Sequence, residues 1–233
     1  MAAIPRPLGV VGAMEVEVEA VDAALEERQF TSVLGCYVAS GSIDGFPVLV
    51  VRSGIGKVNA ALATAALAQA GAAGVVFVGV AGSISSEAQI GDAVVATDLV
   101  QHDVDISPFG HQPGYIHGAI AGGVADTALS DALALAAVSL GATVHRGRIA
   151  SGDQFISSPG RGRAIADQFK ALAVEMEGAA VAQACRQLGL PFAVLRWISD
   201  AADDQAAVDF EQFVSQIAAL DLAIIRRVVA AER

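Results

Sequence analysis

The chain has 233 residues, an apolar fraction of 54% and a formal net charge of −11. That length accommodates one large α/β domain or two small ones, and no apolar stretch runs far enough without a charge or a turn signal to span a bilayer. The negative charge repels nucleic-acid backbones and anionic membranes, so neither is expected as a partner, and a neutral small molecule is the easier ligand to accept.

The first residues, MAAIPRPLGVV, carry one early arginine and no small-residue cleavage site, so no signal peptide is read there. Apolar, β-branched runs then alternate with Ala-rich stretches. Strands are predicted over 8–14, 33–40, 47–53, 75–80, 92–98, 144–151, 171–176 and 192–198. Helices are predicted over 15–27, 57–70, 126–140, 160–168, 177–189 and 208–231. Several strands are continuously apolar, as in sheets covered on both faces. Asp44-Gly45 reads as a hairpin turn, which makes the sheet mixed. Cys36 and Cys185 lie far apart without metal-ligand neighbours, which fits a reducing cytoplasm, no disulfide framework and no metal site. Residues 101–125 are the least regular part and hold all but one of the histidines, as a lid would. Gly189-Leu190-Pro191 ends one helix and launches the next strand. With no linker or repeat dividing it, the chain is expected to be a single domain over 1–233, a three-layer α/β/α sandwich around a mixed sheet.

Two glycine segments follow strands. Ser53-Gly54-Ile55-Gly56-Lys57 fails the phosphate-loop spacing, because Val51 replaces the first Gly and Val58 replaces the Ser or Thr after Lys57. It fails the dinucleotide pattern at Asn59, and a tight turn is the better explanation. Gly79-Val80-Ala81-Gly82 would let a flat ligand approach the backbone, or let a helix cross closely.

Three acid-bearing segments sit at strand ends: Glu15 and Glu17, Glu175 and Glu177, and Ser199-Asp200. Buried carboxylates are costly to desolvate and tend to be kept for chemistry. Plainer explanations exist. Ser199 or Asp200 can cap a helix, Glu175 and Glu177 can sit in a first turn, and Arg196 can pair with one of them. Three such sites in one chain, with an arginine and glycine-lined turns, favour a pocket.

These residues also carry a resemblance. Gly12-Ala13-Met14-Glu15-Val16-Glu17, Ser53 to Lys57, Ala81-Gly82 with Ile90-Gly91-Asp92, and His102-Asp103-Val104-Asp105 with Phe109-Gly110 occur in order. Ser151 to Ile156, Val174-Glu175-Met176-Glu177 and Ile198-Ser199-Asp200 follow. Nearly end to end, the chain resembles the 5′-methylthioadenosine/S-adenosylhomocysteine nucleosidases of the purine nucleoside phosphorylase superfamily.

The resemblance implies hydrolysis of an adenine nucleoside, with water as co-substrate and no cofactor, and a place in methionine salvage. It implies Asp200 as general acid toward adenine N7, oriented by Ser199, and Glu17 as the group that positions and deprotonates water. Glu177 would bind the ribose hydroxyls, its negative charge suiting the developing cation, and Met176 would pack on the sugar. Phe155 and Ile156 would read the base edge through their backbones, with Ala81 and Gly82 lining the base site. Arg196 would hold the acids, and Glu175 would contact substrate or support the site. Ile55, Ile106, Phe109 and Phe210 would form the 5′-alkylthio pocket. Loop 101–115 would reach a neighbouring subunit, implying a homodimer.

The chain departs from the family pattern in four places. Val80 stands in place of Ser or Thr, Val16 in place of an acid, and Trp197 in place of a small residue. The 111–125 stretch is shorter than expected. A phosphorolytic relative would want an arginine just before Val80, where Phe77, Val78 and Gly79 stand. An aminofutalosine nucleosidase would share the same acids. A non-catalytic nucleoside-binding protein would have lost Glu17 or Asp200, and a dinucleotide binder would need the missing glycine spacing.

Overall fold

A computed structural model describes residue 4, residues 6–116 and residues 119–230. His117 and Ala231, in the predicted lid and last helix, lie outside the described residues. The strands are β1 (Leu8–Gly12), β2 (Glu26–Val33), β3 (Cys36–Ile43), β4 (Phe46–Arg52), β5 (Gly74–Phe77), β6 (Val80–Ser83) and β7 (Ala93–Gln101). They continue as β8 (Tyr115–Ile116), β9 (Ala119–Ile120), β10 (Gly122–Val124), β11 (Val144–Ser151), β12 (Ala171–Glu175) and β13 (Phe192–Asp200). The helices are α1 (Glu15–Ala23), α2 (Lys57–Gln69), α3 (Thr127–Ser139), α4 (Pro159–Phe169), α5 (Gly178–Leu188), α6 (Ala206–Val214) and α7 (Ile217–Ala230).

The sheet is mixed and runs β10-β7-β11-β12-β6-β13-β5-β1-β4-β3-β2. β13 also pairs with β7, antiparallel through Leu195, Arg196 and Trp197, so β7, β11, β12, β6 and β13 close on themselves. Two apolar layers cover its faces. One joins Val18, Leu133 and Ile224 from α1, α3 and α7; the other joins Leu67 and Val181 from α2 and α5. β1 and β13 are buried along their whole length, which explains their unbroken apolar runs. Among the described residues, no helix is long and apolar enough to cross a membrane.

Asp44 and Gly45 both have positive φ, 52° and 77°, and join β3 to β4 as a two-residue turn. Four expectations need correction. The helix predicted to 27 stops at Ala23, because Glu26–Val33 form β2, an exposed edge strand paired with β3. The strand predicted over 75–80 is two strands, broken at Gly79, whose φ of 146° suits a residue without a side chain. The strand predicted to 198 runs on to Asp200. The helix predicted from 208 is two helices, α6 and α7, separated at Ser215 and Gln216.

Candidate active site

The carboxyl ends of β1, β12 and β13 meet at one rim of the sheet, and each brings an acid at the strand's end or just beyond it. A cavity of about 360 Å³ opens there, lined by Glu17, Glu175, Glu177, Ser199 and Asp200. Ala81, Gly82 and Val80 from β6 form part of its floor, and Met14, Ile55, Met176 and Phe210 add apolar wall. Phe155 and Ile156 come from the loop after β11, with the Phe155 ring edge-on to Phe210 at 6.3 Å. The lining is mostly apolar with a few converging acids, the usual build of a small-molecule site.

Asp200 ends β13 and is 2% exposed. Ser199 Oγ donates to its Oδ2 at 2.8 Å and the Ala202 N–H donates to Oδ1 at 2.9 Å. Burial raises its pKa, outweighing both hydrogen bonds. The α6 helix begins only at Ala206 with Gln205 at its cap, so capping does not account for Ser199 or Asp200.

Glu17 lies in the first turn of α1 and folds back onto its own helix entry. Its Oε2 accepts from the N–H groups of Ala13 at 2.6 Å and Met14 at 2.8 Å, and Oε1 from Val80 at 3.3 Å. Burial raises its pKa despite the opposing pull of Arg196 and these donors.

Glu175 has a different character. It takes Ser151 Oγ, the Glu177 N–H at 3.2 Å, the Gly178 N–H at 2.8 Å and Arg196 Nη2 at 2.6 Å. Its lone pairs are spent on the α5 entry and on Arg196, so this acid serves the helix start, but from the end of β12 and not from a first turn. Glu177 keeps freer oxygens. Its Oε1 accepts the Gly56 N–H at 2.8 Å, and Arg196 stands 3.9 Å from Oε2. Burial and the neighbouring Glu175 push its pKa up to about 8, against Arg196. Its carboxyl is therefore a weaker acid than an ordinary glutamate.

Arg196 is 1% exposed and sits behind the cavity rather than in its wall. Burial alone would favour its discharge, but Glu175, Glu17 and Glu177 hold its proton more tightly than water does. Nη1 donates to the Val78 carbonyl at 3.0 Å, and the guanidinium lies 3.7 Å over the Phe77 ring. It pairs with Glu175 and Glu177 from beneath the cavity.

The two glycines explain how so many acids fit. A Cβ on Gly79 would come 2.3 Å from Glu17 Oε1 and 2.5 Å from Arg196 Nη1, and one on Gly82 would come 2.7 Å from Asp200 Oδ1. Neither gap serves a helix crossing. The missing side chains make room for carboxylates.

Residues 7–230 match the model of the phosphorylase superfamily. The 5′-methylthioadenosine/S-adenosylhomocysteine nucleosidase of Anoxybacillus flavithermus is 41% identical over 214 residues, covering 91% of this chain and 92% of its own. That of Geobacillus thermodenitrificans is also 41% identical, with 90% of each chain covered. The chain belongs to this nucleosidase family. Among solved structures, the Neisseria meningitidis nucleosidase in complex with methylthio-immucillin-A has a TM-score of 0.91 and 36% identity, covering 96% of this chain and 98% of its own. Futalosine hydrolase of Helicobacter pylori has a TM-score of 0.90 and 35% identity, covering 96% and 97%.

Of the residues that the family resemblance singled out, twelve share this one cavity. They are Glu17, Ile55, Ala81, Gly82, Phe155, Ile156, Glu175, Met176, Glu177, Ser199, Asp200 and Phe210. Ile106 and Phe109 do not line it within their own chain, and Phe109 is 83% exposed. Trp197 faces the apolar layer on the other side of β13 and donates Nε1 to Asp221 Oδ1 at 3.1 Å, so it belongs to the core and not to the site wall. Sequence reasoning gave no separate role to Met14, Gln154 or Val174, which also line the cavity. Each stands inside a motif already quoted, and that adjacency was the available signal.

Proposed function

We propose that the protein hydrolyses the N-glycosidic bond of 5′-methylthioadenosine and S-adenosylhomocysteine, releasing adenine and the 5-thioribose product. The observation that carries this reading is the buried Asp200 facing Glu17 and Glu177 across one apolar cavity. Adenine leaves badly as an anion, so the reaction needs an acid that still holds a proton near neutral pH. Asp200, its pKa raised by burial and its carboxyl oriented by Ser199, is the candidate for that acid. As adenine departs, positive charge grows on the ribosyl carbon. Glu17 positions water on the opposite side and takes its proton, and Glu177 holds the ribose hydroxyls. Burial and Glu175 raise the Glu177 pKa, and its carboxyl hydrogen-bonds those hydroxyls beside the developing cation.

Among the described residues, the backbone N–H and C=O of Phe155 and Ile156 take part in no protein hydrogen bond, which suits them to the adenine edge. Ala81 and Gly82 line the base side, Met176 the sugar, and Ile55 and Phe210 the 5′ substituent. Ile106 and the exposed Phe109 complete that pocket from a partner subunit, so the active form is a homodimer. The reading covers one catalytic domain acting in methionine salvage in the cytoplasm, and Cys36 and Cys185 are both free thiols.

A second reading, an aminofutalosine nucleosidase, is favoured by the likeness to futalosine hydrolase. Rates measured side by side on methylthioadenosine, S-adenosylhomocysteine, 5′-deoxyadenosine, aminofutalosine and adenosine separate the two. Fastest cleavage of the 5′-thio nucleosides is expected. A clear preference for aminofutalosine would replace the first reading with the second.

A further inference from the structure

Three loops around the cavity are joined by one carboxylate that the chemistry above does not use. Asp103 follows β7, and its two oxygens reach two different loops. Oδ1 pairs with Lys57 Nζ at 2.6 Å, and Oδ2 accepts the Asp153 N–H at 3.0 Å. Asp153 in turn accepts the Lys57 N–H on its own Oδ1 at 2.8 Å, which closes a ring of three residues. Lys57 Nζ also reaches Gln101 Oε1 at 3.0 Å, and Gln101 is held by Gln183 of α5 at 2.7 Å.

The ring abuts the site at two points. Gly56, the residue before Lys57, donates its N–H to Glu177. Asp153 stands two residues before Phe155 and three before Ile156. A Cβ on Gly56 would come 3.1 Å from Asp153 Oδ1, so the turn and the loop already touch. The ion pair is mostly sheltered, with side-chain exposures of 16% for Lys57 and 19% for Asp103. Burial alone would raise the Asp103 pKa, but the Lys57 hydrogen bond and charge keep it below the ordinary carboxylate range, so the link stays ionised at working pH.

We infer that Asp103 is a positioning residue: by tying the Lys57 turn to the Asp153–Ile156 loop, it holds Glu177 and the base-reading backbone in one register. The inference rests on the reading of this cavity as an adenine nucleoside site. Its distinguishing feature is coupling. Sugar and base contacts come from loops separated in sequence, and one carboxylate keeps both in place, so its loss should weaken them together.

The test measures adenine affinity by calorimetry, with kcat and KM for methylthioadenosine, on the wild type, Asp103→Ala, Lys57→Met and the double variant. Each single variant is expected to weaken adenine about tenfold and to raise KM more than it lowers kcat. The double variant should be no worse than the weaker single one, because both break the same link. Asp103→Asn keeps one oxygen and the side-chain shape, and should fall between wild type and Asp103→Ala. Should Asp103→Ala fail to fold, Asp103→Asn carries the test. Adenine affinity and KM unchanged in a folded Asp103 variant would overturn the inference, as would losses that simply add in the double variant. A wild-type protein that neither binds adenine nor cleaves the nucleoside would instead overturn the reading of the site, and the inference with it.

Discussion

Ser199 donates its hydroxyl to Asp200 Oδ2 at 2.8 Å, inside a strand whose residues are all buried. The neighbouring Oδ1 is taken by the Ala202 N–H at 2.9 Å, so the carboxyl is held from both sides without a cation. Such a group keeps its geometry when its charge is removed. Asp200→Asn is therefore expected to bind methylthioadenosine with an affinity close to that of the wild type while losing at least about a hundredfold in kcat, the usual size of a general-acid contribution. Equilibrium binding and single-turnover rates read the two effects separately. A rate near that of the wild type would remove Asp200 from the role of acid.

Gly79 offers a test of how the acids are accommodated. A methyl group there would collide with Glu17 Oε1 and Arg196 Nη1, at a φ of 146° that few L-residues adopt. Gly79→Ala should lower both melting temperature and kcat, because Glu17 must leave the Val80 N–H. Gly91→Ala, at a φ of 93° with open space around it, should cost stability alone. Equal kcat in the two variants would mean that the gap at Gly79 does not serve Glu17.

The buried acids also predict how stability depends on pH. Glu177 releases its proton near 4.5 when unfolded and at about 8 when folded, because burial and Glu175 disfavour its charge. Between those values unfolding releases a proton, so this stabilisation is complete below 4.5 and is lost as pH rises toward about 8. The slope from one such group is at most about 1.4 kcal/mol per pH unit. Melting temperature of the ligand-free protein should fall across that window, and Glu177→Gln should flatten the fall. An identical slope in the variant would show that Glu177 is already ionised.

Trp197 tests which features belong to the core. Its indole N–H bonds Asp221 Oδ1, while Asp221 Oδ2 has no partner among the described residues. Burial, then the charge of Glu17, raises the Asp221 pKa well above the ordinary carboxylate value. Trp197→Phe should cost about 1–3 kcal/mol in stability by stranding that acid, with KM within twofold of the wild type. A shifted KM at unchanged stability would place Trp197 in substrate recognition after all.

Much of this was legible in the residues. Asp44-Gly45 announced its hairpin because a two-residue turn needs positive φ at both positions. The acids stood out because each closes an apolar run. β2 did not stand out, since an edge strand with neither face buried shows no apolar alternation. The break at Gly79 was hidden inside one continuous apolar run, and only the three-dimensional placement of Glu17 and Arg196 explains it. Arg196 was read as holding the acids, but its depth behind the cavity depends on which face of β13 it occupies. Ile106 and Phe109 carry family motifs yet lie outside this chain's own pocket. Lys57 and Asp103 are 46 positions apart, a spacing with no local signature.

The central claim is that water, rather than phosphate, receives the ribosyl group. The direct test is the identity of the sugar product from methylthioadenosine in phosphate-free buffer, resolved by mass. The account predicts adenine and free 5-methylthioribose, at a rate unchanged when phosphate is added. Release that requires phosphate and yields the sugar 1-phosphate would contradict it.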